Sequence, residues 1–223
     1  MLKSFVQCRL WGIKGITMQK EYEFFEYMNE LQKTTRYSVY NKVFWESVPD
    51  HTYKMIVMID KLFDVLDLKL DYRKCVKLAL YHDLGEIGME NDIDAYDSFK
   101  NPELKLRKKE MENDNVLGIA RKYGNEVYDI FSEFEKQATM EAKFVKAIDR
   151  LETTIRCIAV KDVSLEISIE DADITNADFT AMHCDEAIKN FPELMPFYKV
   201  VKVKLKERFE AQGLEWKAEY DLV

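Results

Sequence analysis

The chain is poor in residues that break helices, with seven glycines and four prolines in 223 residues. That is less than half the share in an average soluble domain. A β-sandwich or barrel needs a turn about every ten residues, so this scarcity excludes one and favours long helices. Cysteine is sparse as well. Cys8, Cys75, Cys157 and Cys184 are far apart and form no CxxC pair, which argues against a disulfide framework. Cys75 and Cys157 sit in apolar helical patterns and read as reduced core thiols, as in a cytoplasmic protein. No apolar run reaches the ~18–20 residues of a membrane span. Basic charge is not in surplus: 33 Lys and Arg stand against 41 Asp and Glu, for a net charge of −8. A long nucleic-acid partner is therefore not expected, although a few placed cations can still hold a small anion. Lys3, Arg9 and Lys14 interrupt the apolar stretch of Met1 to Thr17, and no small-residue cleavage site follows, so no secretory signal is read there.

Hydrophobic residues make up 47% of the chain. This supports one real core and excludes a disordered chain. Apolar residues recur with helical period nearly throughout. The pattern predicts helices over 18–33, 48–67, 71–88, 102–122, 124–137, 140–161, 179–190 and 192–211. Segments 34–47, 89–101 and 162–178 read as irregular, with a short strand near Ile167 and Ile169. The expected fold class is all-α: a single-domain helical bundle with its core in 18–161, an N-terminal extension at 1–17, and a C-terminal helical extension at 162–223 packed on the same domain. The acidic stretch from Glu166 to Asp178 lacks the glycine and glutamate that a calcium loop needs at its sixth and twelfth positions, and reads as a solvated loop. Tyr22, Phe24, Phe25 and Tyr27 read as core. Lys100, Lys105, Arg107, Lys108 and Lys109 read as a solvated helix face paired with Glu103 and Glu110. His183 reads as surface or filler.

Chemistry concentrates around two of the three histidines. Ser47 and Asp50 form a plausible capping box, with Pro49 tolerated in the first helical turn, so His51 opens a helix. It shares a face with Met55, Ile59, Leu62 and Leu66 and should point inward. His82 and Asp83 are adjacent. His82 continues the face of Cys75, Leu78 and Ala79, and the pattern stacks Glu86 one helical turn beyond it. Asp149 follows Val145 by four residues and adjoins Ile148, at the edge of an apolar stripe. Each feature alone has an ordinary structural explanation. Together they would bury two imidazoles and two carboxylates, which is costly without compensation. A divalent cation compensates, because two neutral imidazole nitrogens and two carboxylates neutralise it and leave coordination positions open. Such an ion can acidify a water and polarise a phosphoryl oxygen, with Glu86 placed to take or orient the proton.

The order His51, His82-Asp83, Asp149 resembles the H…HD…D signature of HD-domain metal-dependent phosphohydrolases. Thr35-Arg36-Tyr37, Glu46 to His51, Leu78 to Glu86 and Glu141 to Asp149 are similar to successive blocks of the small YfbR-like 5′-deoxynucleotidase branch, over roughly residues 18 to 160. The resemblance implies an HD-domain helical bundle that removes phosphate from deoxynucleoside 5′-monophosphates. It implies His51, His82, Asp83 and Asp149 as ligands of one divalent transition-metal ion (Mn, Co, Fe, Ni or Zn), with Asp83 and Glu86 in the catalytic group. Glu86 matches the carboxylate that engages the attacking water. Arg36 matches the arginine that holds the phosphate, which suits the bidentate guanidinium fork. Tyr37 stands where the family usually has tryptophan against the sugar 2′ position, and the smaller ring loosens selection against ribose. Asp92 matches the sugar-contacting aspartate with one inserted residue, Asn91 holding the ungapped position. The resemblance also implies a homodimer with a small-molecule nucleotide substrate and no membrane or long nucleic-acid partner. Two other functions fit the same residues: a dNTP triphosphohydrolase or other nucleotide phosphodiesterase on the same metal site, and a non-catalytic nucleotide-binding scaffold.

Overall fold

A computed structural model of the chain describes residues 18–36, 46–88, 101–159 and 176–221, with the backbone alone at Thr35, Arg36 and Asn176. The fold is all-α. Helix α1 (Gln19–Met28) runs into a 3-10 turn, Asn29–Lys33. Two short strands, β1 (Thr35–Arg36) and β2 (Glu46–Ser47), pair antiparallel with Thr35 opposite Ser47 and Arg36 opposite Glu46. Helices α2 (Val48–Val65) and α3 (Tyr72–Tyr81) follow, then a 3-10 turn, Leu84–Glu86. Next come α4 (Pro102–Tyr123), α5 (Glu126–Glu135) and α6 (Met140–Ala159). The C-terminal part holds α7 (Asn176–Met182), α8 (Asp185–Asn190) and α9 (Met195–Ala211).

Local chemistry sets these boundaries. The Ser47 hydroxyl accepts from the Asp50 amide at 3.3 Å, and Asp50 Oδ2 accepts from the Ser47 amide at 3.1 Å, completing the expected capping box of α2. Asp71 caps α3 by accepting from the Lys74 amide at 3.0 Å. Asn101 caps α4 by accepting from the Glu103 and Leu104 amides, with Pro102 at the first helical position.

The main core lies where α2, α3, α5 and α6 meet. Met55 and Ile59 of α2 pack with Cys75 and Leu78 of α3, Phe134 of α5, and Phe144, Ile148 and Leu151 of α6. The chain's C-terminal part closes this core: Phe191, Leu194, Tyr198 and Val201 join it, and α8 and α9 lie against α6. The buried Lys202 ammonium donates to the carbonyls of Ala181 and Tyr220, both at 2.6 Å, and so ties the final turn to α7. A second cluster, including Leu84, Ile87, Val116 and Phe131, seats the Leu84–Glu86 turn on α4 and α5.

Several expectations are corrected. The helix expected over 71–88 stops at Tyr81. There the His82 ring Nδ1–H donates to the Ala79 carbonyl at 2.8 Å, competing for an oxygen that the next helical turn would use. Glu86 therefore reaches its place through a separate 3-10 turn and is not stacked on a continuous helix. The helix expected over 179–190 is two helices parted at His183 and Cys184. Of the four aromatics read as core in α1, Phe24 and Tyr27 pack inward against Tyr123 of α4, while Tyr22 and Phe25 face away from it and are exposed among the described residues. The expected strand at Ile167 and Ile169, the extension over 1–17 and Cys8 lie outside the described residues.

Cys75 and Cys184 are buried free thiols, and Cys157 is half-buried. Burial pushes both buried thiols up to about 12. Unfolded thiols ionise near pH ~8.5, so above that value the unfolded chain sheds protons that the folded chain keeps, and stability falls as pH rises towards the folded value. In folded protein at about pH 8, Cys75 and Cys184 are expected to resist iodoacetamide, and to react promptly in denaturant. Peptide mass spectrometry reads the difference, and modification of the folded protein at the unfolded rate would contradict the packing.

Candidate metal centre

The two histidines arrive from different helices and meet face to tilted face, with ring centroids 5.5 Å apart. His51 sits in the first turn of α2 and is fully buried. His82 follows the last residue of α3, is buried too, and has the Phe134 ring edge-on at 5.1 Å. One donor atom from each of His51, His82 and Asp83 falls within 4.8 Å of the others. Asp149 of α6 brings Oδ1 to 3.3 Å from His51 Nε2. The structure thus gathers the four residues that the sequence pattern singled out, from α2, the turn after α3, and α6.

Their protons are constrained. The Ala79 carbonyl can only accept, so the His82 proton is on Nδ1 and, in the neutral ring, Nε2 is a lone pair. His51 Nδ1 is 2.6 Å from Glu152 Oε2, and a carboxylate likewise only accepts. Both rings therefore turn Nε2 towards carboxylates: His82 Nε2 is 3.0 Å from Asp83 Oδ2, an orientation that makes no hydrogen bond. Acceptors at that distance repel unless a cation, a proton or a metal ion, is shared among them. The donor set, two imidazole nitrogens and two carboxylates with second nitrogens tied to oxygen, suits a divalent transition metal.

Electrostatics around Asp149 and Glu152 favour the ionised forms. Burial alone would push the Asp149 carboxyl up, but the Lys146 ammonium, 3.0 Å from Oδ2, the approach of the His51 ring and the Arg150 charge outweigh it and hold the group well below the usual range. Burial also opposes ionisation of Glu152, and its hydrogen bonds to His51 and Lys54 bring it below the ordinary value.

Glu86 is buried, with Lys108 Nζ 3.4 Å from Oε1. Its turn is suspended by its carbonyls: Asn115 Nδ2 donates to Gly85 O at 2.9 Å and Ile87 O at 3.1 Å, and the Thr34 hydroxyl donates to Glu86 O at 3.3 Å. The expected solvated basic face does not hold at Lys108. That side chain instead turns inward, to Glu86 and to Glu112 at 3.6 Å, while Lys109 approaches Glu135 at 3.9 Å. Arg36 has its backbone opposite Glu46 in the small ladder, and nothing is described of its side chain. Tyr37 and Asp92 lie outside the described residues. His183 is half-buried, its Nε2 3.0 Å from Arg150 Nη1 and its ring 4.7 Å from that of Phe179, apart from the histidine pair.

Sequence reasoning missed Glu152, Lys54, Thr34, Asn115 and the inward turn of Lys108. Only Glu152 had a local signal, its spacing of three from Asp149 on one helical face.

This fold and arrangement belong to a recognisable class: a family model described as the HD domain matches residues 28–194, and the chain is a member of that family. Among individual relatives it is similar to the 5′-deoxynucleotidase HDDC2 of Xenopus laevis, 35% identical over 118 residues, covering 53% of this chain and 57% of that protein. The HDDC2 of Dictyostelium discoideum is 31% identical over 150 residues, covering 62% of this chain and 76% of that protein. The match thus spans little more than half the length of the Xenopus relative. Among solved structures, a "predicted metal-dependent phosphohydrolase" from Magnetospirillum magnetotacticum MS-1 superposes with a TM-score of 0.63 over 85% of this chain and 92% of that one. At 17% identity that likeness is one of fold.

The turn carrying Glu86 has a checkable constraint. A Cβ at Gly85 would lie 2.9 Å from both the backbone oxygen and Cβ of Glu112. Gly85→Ala is therefore expected to destabilise the protein by about 1–3 kcal/mol in denaturant unfolding. An unchanged midpoint would show that the turn and α4 separate easily.

Proposed function

We propose that the chain is a metal-dependent phosphomonoesterase acting on (deoxy)nucleoside 5′-monophosphates. The observation that carries this reading is the buried convergence of His51, His82, Asp83 and Asp149, with both Nε2 atoms turned to carboxylates. The names of the similar 5′-deoxynucleotidases supply the substrate class. In this reading the four residues hold one divalent ion, Mn, Fe, Co, Ni or Zn. The chemistry such an ion supplies when bound is acidification of a water and polarisation of a phosphoryl oxygen.

The chain's own residues do the rest. Glu86 accepts a proton from the attacking water, held in place by the Thr34 and Asn115 hydrogen bonds to its turn. Water oxygen bonds to phosphorus, the bond from phosphorus to the 5′ oxygen breaks, and that oxygen leaves as the nucleoside hydroxyl, its proton balanced by the one Glu86 took from the water and gives up again. Arg36 clamps the non-bridging phosphate oxygens, and the ladder that pairs it with Glu46 supports its placement beside the centre. Tyr37 and Asp92 contact the sugar. The core is taken as 18–161, preceded by 1–17, with 162–223 as an extension; the packing of α8 and α9 on α6 supports the extension lying on the same domain. The free thiols support a cytoplasmic location. A homodimer rests on family resemblance alone.

A phosphate-release screen over ribo- and deoxyribonucleoside mono-, di- and triphosphates, with several divalent ions, tests the reading. Orthophosphate from deoxynucleoside 5′-monophosphates is expected, and chelation should abolish it. Inorganic triphosphate from dNTPs would instead favour the triphosphohydrolase, and tight nucleotide binding without turnover the scaffold. Asp83→Ala is expected to abolish release while the helical circular dichroism persists. Glu86→Gln should lower turnover by about 10²–10⁴-fold. Wild-type turnover by Asp83→Ala in metal-supplemented buffer would refute the assignment.

A further inference from the structure

The His51 ring lies between two carboxylates of one helix. Asp149 and Glu152 are three residues apart on α6 and so share a face. Asp149 meets Nε2 at 3.3 Å and Glu152 meets Nδ1 at 2.6 Å. Glu152 is itself anchored: its other oxygen, Oε1, is 2.8 Å from Lys54 Nζ, one turn along α2 from His51. The Lys54 ammonium also donates to Glu46 Oε1, and Arg156 Nε approaches the same oxygen at 3.4 Å. Glu46, Glu152 and Arg156 are all buried. Among these four groups the two carboxylates and two cations balance in charge, and Glu152 is a fixed acceptor for the ring.

We propose that Glu152 is a positioning residue: by accepting the Nδ1–H of His51 it fixes the tautomer and angle that present Nε2 to the metal, with Lys54 fixing Glu152 in turn. This rests on the reading of His51 as a metal ligand. A second cation site made of Glu46, His51 and Glu152 is disfavoured by the charges already there: Lys54 lies against both carboxylates and Arg156 against Glu46. An outer carboxylate that orients a ligating imidazole in this way ordinarily accounts for about 10–100-fold in metal affinity.

The test combines zinc affinity with the chemistry of one ring. Chelator competition on the full chain should give Glu152→Ala a zinc affinity about 10–100-fold weaker than wild type. A carboxylate-to-alanine change at Asp129, on the exposed face of α5, serves as the control and should leave affinity unchanged. Long-range nitrogen–proton NMR on the zinc-loaded wild type should show His51 bound through Nε2 with a slowly exchanging proton on Nδ1, a readout that persists even if the variant does not fold. Equal zinc affinity in wild type and folded Glu152→Ala would overturn the inference, as would zinc on Nδ1 of His51. Failure of the wild type to bind zinc, cobalt or manganese would overturn the ligand reading beneath it, which is a distinct result.

Discussion

Two buried imidazoles each have one nitrogen committed to a protein oxygen, and this commitment fixes what the other nitrogen can do. The Ala79 carbonyl holds the proton of His82 and the Glu152 carboxylate that of His51. In the neutral rings both Nε2 atoms are lone pairs that face acidic groups. Such a cluster favours a cation, because buried acceptors that face one another repel. The fold supplies the rigidity this requires: α2, α3 and α6 meet around a core that includes Met55, Ile59, Leu78, Phe144 and Ile148.

The parts legible in the sequence were those written in short-range periodicity. The capping box at Ser47 and Asp50 fixed where α2 begins, and with it the inward face of His51, Met55 and Ile59. The pairing of His82 with Asp83 and the stripe ending in Asp149 were visible for the same reason. The illegible parts depend on contacts across long stretches of chain. The bond between Thr34 and Glu86 spans 52 residues, and that between His51 and Glu152 spans 101. No local spacing encodes either.

The misjudged helix ends have a common physical origin. A periodic pattern continues smoothly through His82 to Glu86, but the ring of His82 competes with the backbone for Ala79 O and the helix gives way. The basic run on α4 was misjudged because a charge pattern does not reveal the acidic turn docked against it. Lys108 and Lys109 are neighbours in sequence, yet Lys108 alone is drawn into the interior by Glu86 and Glu112. Tertiary charge pairing outweighed the solvated-face expectation at that one position.

The turn from Leu84 to Glu86 hangs from the rest of the molecule by main-chain oxygens, through Asn115 and Thr34, and by the close approach of Gly85 to α4. None of these three attachments uses the carboxylate at its tip. The backbone of the turn is thus held independently of its acidic side chain, whose own tie to α4 runs through Lys108. Truncating that side chain removes a charge from the interior and leaves the anchorage of the loop in place.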